Sequence, residues 1–208
     1  QEDTIEFVGT GERDGYQVPN ATTATLSDTP LRDIPQSIQV VPKQVLEDRK
    51  ARNLTDAVET VSGVVSRGSS FGAPAHAFTI RGFEQQGNFR NGFRDVGLYA
   101  LTGICSFEQV EVLKGPGSVL FGQVEPGGIV NVITRKPLNE PYYNLSLEAG
   151  NYGFFKPTVD LSGPLTDDKN ALYRFIGSYQ SSNSFQDFVD TELTTVAPSI
   201  TLNLGDKT

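Results

Sequence analysis

The stretch from Phe107 to Pro137, FEQVEVLKGPGSVLFGQVEPGGIVNVITRKP, constrains this chain more than any other part of it. Two runs of strand-forming residues, 109–113 and 129–134, flank a segment carrying Gly115, Pro116, Gly117, Gly122, Pro126, Gly127 and Gly128. Glycine reaches backbone angles closed to other residues, and proline fixes one angle and removes a donor, so this connection is tightly turned. Beyond Pro137 the texture changes to a period of two. Leu145, Leu147 and Ala149 alternate with Asn144, Ser146 and Glu148, and Val159 and Leu161 alternate with Thr158, Asp160 and Ser162. Tyr173, Phe175 and Tyr179 alternate with Arg174, Ser178 and Gln180, although Ile176 and Gly177 blur that run. Val196, Pro198, Ile200, Leu202 and Leu204 close the series, and polar turns fall at 151–154, 165–170, 183–192 and 205–208. Such alternation marks half-buried antiparallel strands. A small mixed domain feeding directly into a sheet of this kind predicts a plugged barrel.

Upstream, residues 1–29 are polar and lack a sustained period, which predicts a mobile arm with one extended segment at 4–8. Residues 38–41 read as a short strand stopped by Pro42, and Pro42 suits the first turn of a helix reaching about Lys50 with Val45 and Leu46 inward. Asn53 caps a second helix whose Leu54, Val58 and Val61 share a face, and Gly63 ends it. Residues 66–77 read as loop, 78–81 as strand, 84–91 as a polar loop returning through 92–95, and 96–106 as a further loop. The predicted organisation is an arm (1–29), an α+β domain with a small mixed sheet and short helices (30–137), and the first four strands of an incomplete antiparallel β-barrel (138–208).

Net charge is −8, which argues against a nucleic-acid partner. No apolar run approaches the ~20 residues of a membrane helix, but barrel strands carry too weak a hydropathy signal to be excluded that way. The alternating runs are each near the ~10 residues of a tilted membrane strand. A soluble β-sandwich alternates too, and Tyr173 and Tyr179 fit an interfacial girdle or a sandwich core. Four strands do not close a barrel, so on the barrel reading the chain is the opening part of one. The single cysteine, Cys105, has no internal disulfide partner. One histidine, His76, and no Cys/His cluster leave no metal-ligand spacing. Lys114-Gly115-Pro116-Gly117-Ser118 lacks the Gly-Lys-Ser/Thr order of a phosphate-binding loop, and no nucleophile–base pattern predicts an enzyme.

The 107–137 stretch resembles the plug signature of TonB-dependent outer-membrane receptors. The matching residues are Glu108, Val110, Glu111, Val112, Leu113, Lys114, Gly115, Pro116, Ser118, Leu120, Phe121 and Gly122, then Pro126, Gly127, Gly128, Asn131, Thr134, Arg135 and Pro137. Ile34-Pro35-Gln36-Ser37-Ile38, Leu54-Thr55-Asp56-Ala57-Val58 and Ile80-Arg81-Gly82-Phe83 follow the family's order, so the resemblance covers nearly the whole chain. The wording of 35–38 and 114–116 resembles the ferric-siderophore members, and the alignment of the apex loops resembles their ferric-hydroxamate (ferrichrome-like) branch.

The resemblance implies a transporter in the outer membrane of a Gram-negative-type bacterium, whose plug gates a barrel and which is energised by TonB in the periplasm. Asp3, Thr4, Ile5, Glu6, Phe7 and Val8 are similar to the TonB box, which adds a strand to its partner by backbone hydrogen bonds. Arg81 and Lys114 match the basic positions that lock plug to barrel carboxylates, with Glu108 and Glu111 as alternative partners inside the plug. The ligand face falls on Ser69, Phe71, Gly87, Asn88, Phe89, Arg90 and Tyr99, in loops that also hold Ser70, His76, Gln86, Gly97 and Leu98. Arg90 favours an anionic chelate. No cofactor is implied, because the iron of a ferric siderophore arrives already coordinated. The implied partners are that siderophore, TonB and outer-membrane lipid. A receptor for cobalamin, haem or a glycan, one whose arm signals to a regulator, and a soluble β-rich binding module are the competing readings.

Overall fold

The computed structural model describes residues 15–67, 77–85, 87–95, 103–184 and 189–204, with only the backbone of 3–8 and 67. In chain order the strands are β1 (Asp3–Val8), β2 (Asn20–Ala21), β3 (Thr29–Pro30), β4 (Ser37–Pro42), β5 (Val64–Arg67), β6 (Ala77–Ile80), β7 (Phe83–Gln85) and β8 (Asn88–Arg90). There follow β9 (Phe93–Asp95), β10 (Phe107–Lys114), β11 (Gly128–Thr134), β12 (Tyr142–Ala149), β13 (Phe155–Pro164), β14 (Ala171–Asn183) and β15 (Asp190–Leu202). Among the described residues, three short helices, α1 (Lys43–Asp48), α2 (Leu54–Val58) and α3 (Ser118–Phe121), fall between the earlier strands in the chain. The chain divides into two units, Asp14–Thr134, and Gln1–Arg13 with Arg135–Thr208.

In the first unit a mixed sheet runs in the order β4-β10-β11-β8-β9, with β11 and β8 parallel and every other pair antiparallel. A second, antiparallel sheet joins β5, β6 and β7. β10 sits inside the mixed sheet and is apolar on both faces, so it serves two cores. Val110 and Val112 pack with Phe78, Ile80, Leu54, Val58 and Val61, while Leu113 packs with Ile129, Phe89, Phe121 and Ile34. Each such side chain contributes about 1.5–3 kcal/mol by leaving water. The Asn53 cap forms as predicted: its Oδ1 accepts the Asp56 N–H at 3.0 Å.

Three expectations change here. The predicted arm does not run to Thr29, because Ala21 and Thr23 are fully buried and Ala24 nearly so. The predicted polar loop at 84–91 is instead the end of β7 and the whole of β8. β8 returns to β9 through Asn91-Gly92, with φ of +50° and +83°, the type I′ geometry that an Asn-Gly pair favours. Strands of three residues are too short to show a period, which hid them. β5, lastly, occupies residues that the pattern left unassigned or in a loop.

The second unit is one antiparallel sheet in the order β1-β12-β13-β14-β15. Its four long strands fall where the alternation places them, as do the turns at 151–154 and 165–170, while β15 already begins at Asp190 inside the expected third turn. Leu145, Leu147, Phe155, Phe175, Tyr179, Val196, Ile200 and Leu202 are exposed, whereas Lys156, Asp160, Ser162, Arg174 and Ser178 are buried. That is the reverse of a water-soluble sheet. A sandwich core would take the apolar face inward against a second sheet, and these strands form a single sheet. The pattern is that of a barrel wall with its apolar side toward lipid. At 13 residues each, β14 and β15 exceed the ~9–11 needed to cross a bilayer.

Candidate functional site

The β6–β7 connection is a two-residue turn, Arg81-Gly82, with φ of +51° and +86° and Ile80 paired to Phe83. This too is type I′ geometry, normally filled by Asn, Asp or Gly. An arginine there stands in a left-handed conformation that costs roughly 1–2 kcal/mol, and its side chain is exposed. The Pro-Gly-Gly motif packs directly against this turn. A Cβ on Gly127 would lie 2.2 Å from the Ile80 carbonyl oxygen, and one on Gly128 (φ +143°) 2.2 Å from that of Leu113. Only glycine lets β11 begin so close to both strands.

Lys114 ends β10, and its Nζ donates to Gln39 Oε1 and Ser62 Oγ, each at 3.0 Å. Burial first, and then the charge of Arg81, hold its pKa below the ordinary lysine value. A Cβ on Gly115 would come within 3.7 Å of Arg81 Nη1. The two basic residues assigned to the lock are therefore brought to one place. Among the described residues, no carboxylate is paired with either.

Glu111 does not take up the alternative partnership expected of it. Its side chain is fully buried and accepts the Thr23 N–H at 2.7 Å and the Thr22 N–H at 3.1 Å. Gln109 Nε2 adds a donor at 2.5 Å. Asn131, opposite Glu111 in the ladder, donates to Thr23 Oγ1 at 2.9 Å and accepts the Gly92 N–H at 3.1 Å. The carboxylate thus holds the segment 22–23 onto the mixed sheet. A lone acid among Val110, Val112 and Leu113 was the available signal, and a charged residue in a two-faced apolar strand calls for such donors.

Of the expected ligand face, Gly87, Asn88 and Arg90 are half-buried. Phe89 is a correction: it is a core residue, 3% exposed, with its ring edge-on to Phe121 at 4.8 Å. Alternation along β8 turns it inward. Arg90 is bound across its own hairpin to Asp95, with Nε and Nη2 at 3.2 and 3.1 Å from Oδ2. Ser69, Phe71 and Tyr99, like Ser70, His76, Gln86, Gly97 and Leu98, lie outside the described residues. The segment Asp3–Val8 is extended and pairs antiparallel with β12, from Asp3 opposite Ala149 to Val8 opposite Asn144. Its side chains also lie outside the description.

A mixed-sheet domain with a Pro-Gly-Gly strand start and an exposed basic turn, followed in the chain by an inside-out antiparallel sheet, is the order of a plug domain and the opening strands of an outer-membrane barrel. Residues 30–129 match the TonB-dependent Receptor Plug Domain, and the chain belongs to the TonB-dependent receptors. It is 36% identical over 200 residues to the metal-pseudopaline receptor of Pseudomonas aeruginosa, covering 95% of this chain and 28% of that protein. With the ferrichrome outer membrane transporter/phage receptor of Escherichia coli it shares 32% identity, over 90% of this chain and 26% of the relative. The solved pyoverdine outer membrane receptor of Pseudomonas aeruginosa superposes with a TM-score of 0.82 at 29% identity, over 91% of this chain and 28% of that one. The chain thus spans about a quarter of the length of the relatives it matches.

Proposed function

We propose that the whole protein is a TonB-dependent receptor that carries a chelated metal of the ferric-siderophore class across the outer membrane. One observation carries this reading: a plug domain leads straight into a sheet whose apolar face is exposed and whose polar face is buried. That order supports a domain built to stand inside a polar-lined pore. The relatives with 30% identity or more name metal-pseudopaline, ferrichrome, ferripyoverdine and catecholate siderophores as ligands. All are metal chelates, so the shared chemistry is an organic scaffold whose oxygen or nitrogen atoms already hold the metal. A receptor of that kind reads the shape and charge of the chelate.

In this scheme Gly87 and Asn88, with the loop residues Ser69, Phe71 and Tyr99, meet the chelate. The segment from Asp3 to Val8 engages TonB by strand addition, for which its extended backbone is already suited. Arg81 and Lys114 await barrel carboxylates; the unusual arginine in a left-handed turn supports a role beyond turn-making. The test uses the full-length receptor in an iron-starved cell lacking its own siderophore receptors. Uptake of radio-iron loaded on a hydroxamate, a catecholate or a pyoverdine is measured with and without TonB. Ile5→Pro is expected to abolish uptake while leaving chelate binding nearly intact. Uptake that persists in Ile5→Pro removes the coupling role of the segment, and failure to bind any of the chelates removes the substrate class.

A further inference from the structure

Residues 135–142, which follow β11, run as a strap over the polar face of β13 and β14. Arg174 grips Asp160 with both arms of its fork, Nε to Oδ1 at 2.9 Å and Nη2 to Oδ2 at 2.7 Å. Its remaining Nη1 donates to the Lys136 carbonyl oxygen at 2.9 Å. Arg135 reaches the same carboxylate, Nη1 to Oδ2 at 2.9 Å. Further along, the Leu138 N–H donates to Ser162 Oγ at 2.8 Å, and that hydroxyl donates in turn to the Tyr173 carbonyl oxygen at 2.8 Å. Gly163 gives the strap room, since a Cβ there would lie 3.3 Å from Pro141 Cα. The Arg174 guanidinium also lies over the Tyr142 ring, 5.5 Å from its centroid.

The side chains of Asp160 and Arg174 are 2% and 1% exposed. Two guanidiniums share one carboxylate out of water, so loss of Asp160 leaves Arg174 buried without its counter-charge. Ser162 and Arg174 are ladder partners, and a one-residue slip would turn them and Asp160 onto the exposed apolar face. The strap therefore docks in one register only.

We infer that this strap is the fixed end of the plug. A pull applied at residues 3–8 draws on the chain from its N-terminal side, and the Asp160–Arg174–Arg135 cluster holds residues 135–141 against β13 and β14 throughout. Asp160, Arg174 and Ser162 are positioning residues: they touch no cargo and set where extraction stops. The inference rests on segment 3–8 being the pulled end, which the uptake test of Ile5→Pro examines separately.

The experiment pulls the N-terminal arm of the full-length receptor in a lipid bilayer with a force probe, and reads the contour length released. No cargo is needed. For the unaltered protein the released length is expected to end at Thr134. Asp160→Asn is expected to add residues 135–141, about 25 Å of extended chain at ~3.5 Å per residue. Arg174→Lys keeps the charge but loses the fork, and is expected to add the same length. It also serves if Asp160→Asn does not assemble. An unaltered protein that already releases 135–141, or a length unchanged in Arg174→Lys, overturns the inference.

Discussion

Among the described residues two carboxylates are fully removed from water, Glu111 in the plug and Asp160 in the barrel sheet, and they are held by opposite means. Glu111 is surrounded by neutral donors, chiefly the backbone N–H groups of Thr22 and Thr23. Asp160 is clamped between two guanidiniums, and one of them is fixed on a neighbouring strand. The difference bears on what each joint permits. Donors on segment 22–23 regain water when the segment lifts away, so the joint at Glu111 opens without stranding the donors. At Asp160 the strap is held by a charge pair instead, Arg135 on a carboxylate that Arg174 keeps in place, so lifting it breaks an ion pair. One end of the plug is thus held releasably, and the chain leaving it is held firmly.

The sharpest way to break this contrast is Asp160→Ala, which should cost about 3–5 kcal/mol because Arg174 loses its buried counter-charge. Urea unfolding of the full-length receptor in detergent measures it, and a loss smaller than that of Glu111→Ala would reverse the comparison. Glu111→Ala comes next, at about 2 kcal/mol for the orphaned N–H groups. Its effect should be local: amide exchange at Thr22 and Thr23 should speed up by roughly 30-fold, while the amides of β14 stay protected.

A smaller and opposite effect is expected at the basic turn. Arg81→Asn should stabilise the plug by about 1 kcal/mol, since asparagine tolerates the left-handed angle. Unchanged urea midpoints would show that Arg81 carries no backbone strain. The same change removes the neighbouring charge at Lys114 and should move its pKa back toward the ordinary lysine value without restoring it, because burial is the larger cause. The pH effect is the least of these. Lys114 gives up its proton earlier in the folded protein than in the unfolded chain, so between those two values the unfolded state binds more protons and stability rises with pH. At neutral pH the penalty is fully present. Lys114→Gln should flatten that alkaline rise, and a rise of the same size in the variant would show that another group causes it.

The long strands were legible because each keeps one period for eight residues or more, and the Pro-Gly-Gly part of the plug signature was legible because Gly127 and Gly128 are required by contacts under 3 Å. The three-residue strands β8 and β9 were not, and with them went the position of Phe89. A side chain one step along so short a strand points to the core or away from it according to pairing, and pairing is a property of distant residues.

By itself the sequence determined the family, the alternation of β12 to β15 and the turns at 151–154 and 165–170, all of which rest on neighbours in the chain. Alternation has the same period whichever face is buried, so the sequence did not decide between a sandwich and a barrel wall. The structure did, by leaving Leu145, Val196 and Ile200 exposed while burying Asp160 and Arg174. It alone also joined Glu111 to Thr22 and Thr23, 89 and 88 residues away, and Arg135 to Asp160. A buried charge is satisfied by whichever donors the fold brings to it, and those contacts leave no local pattern.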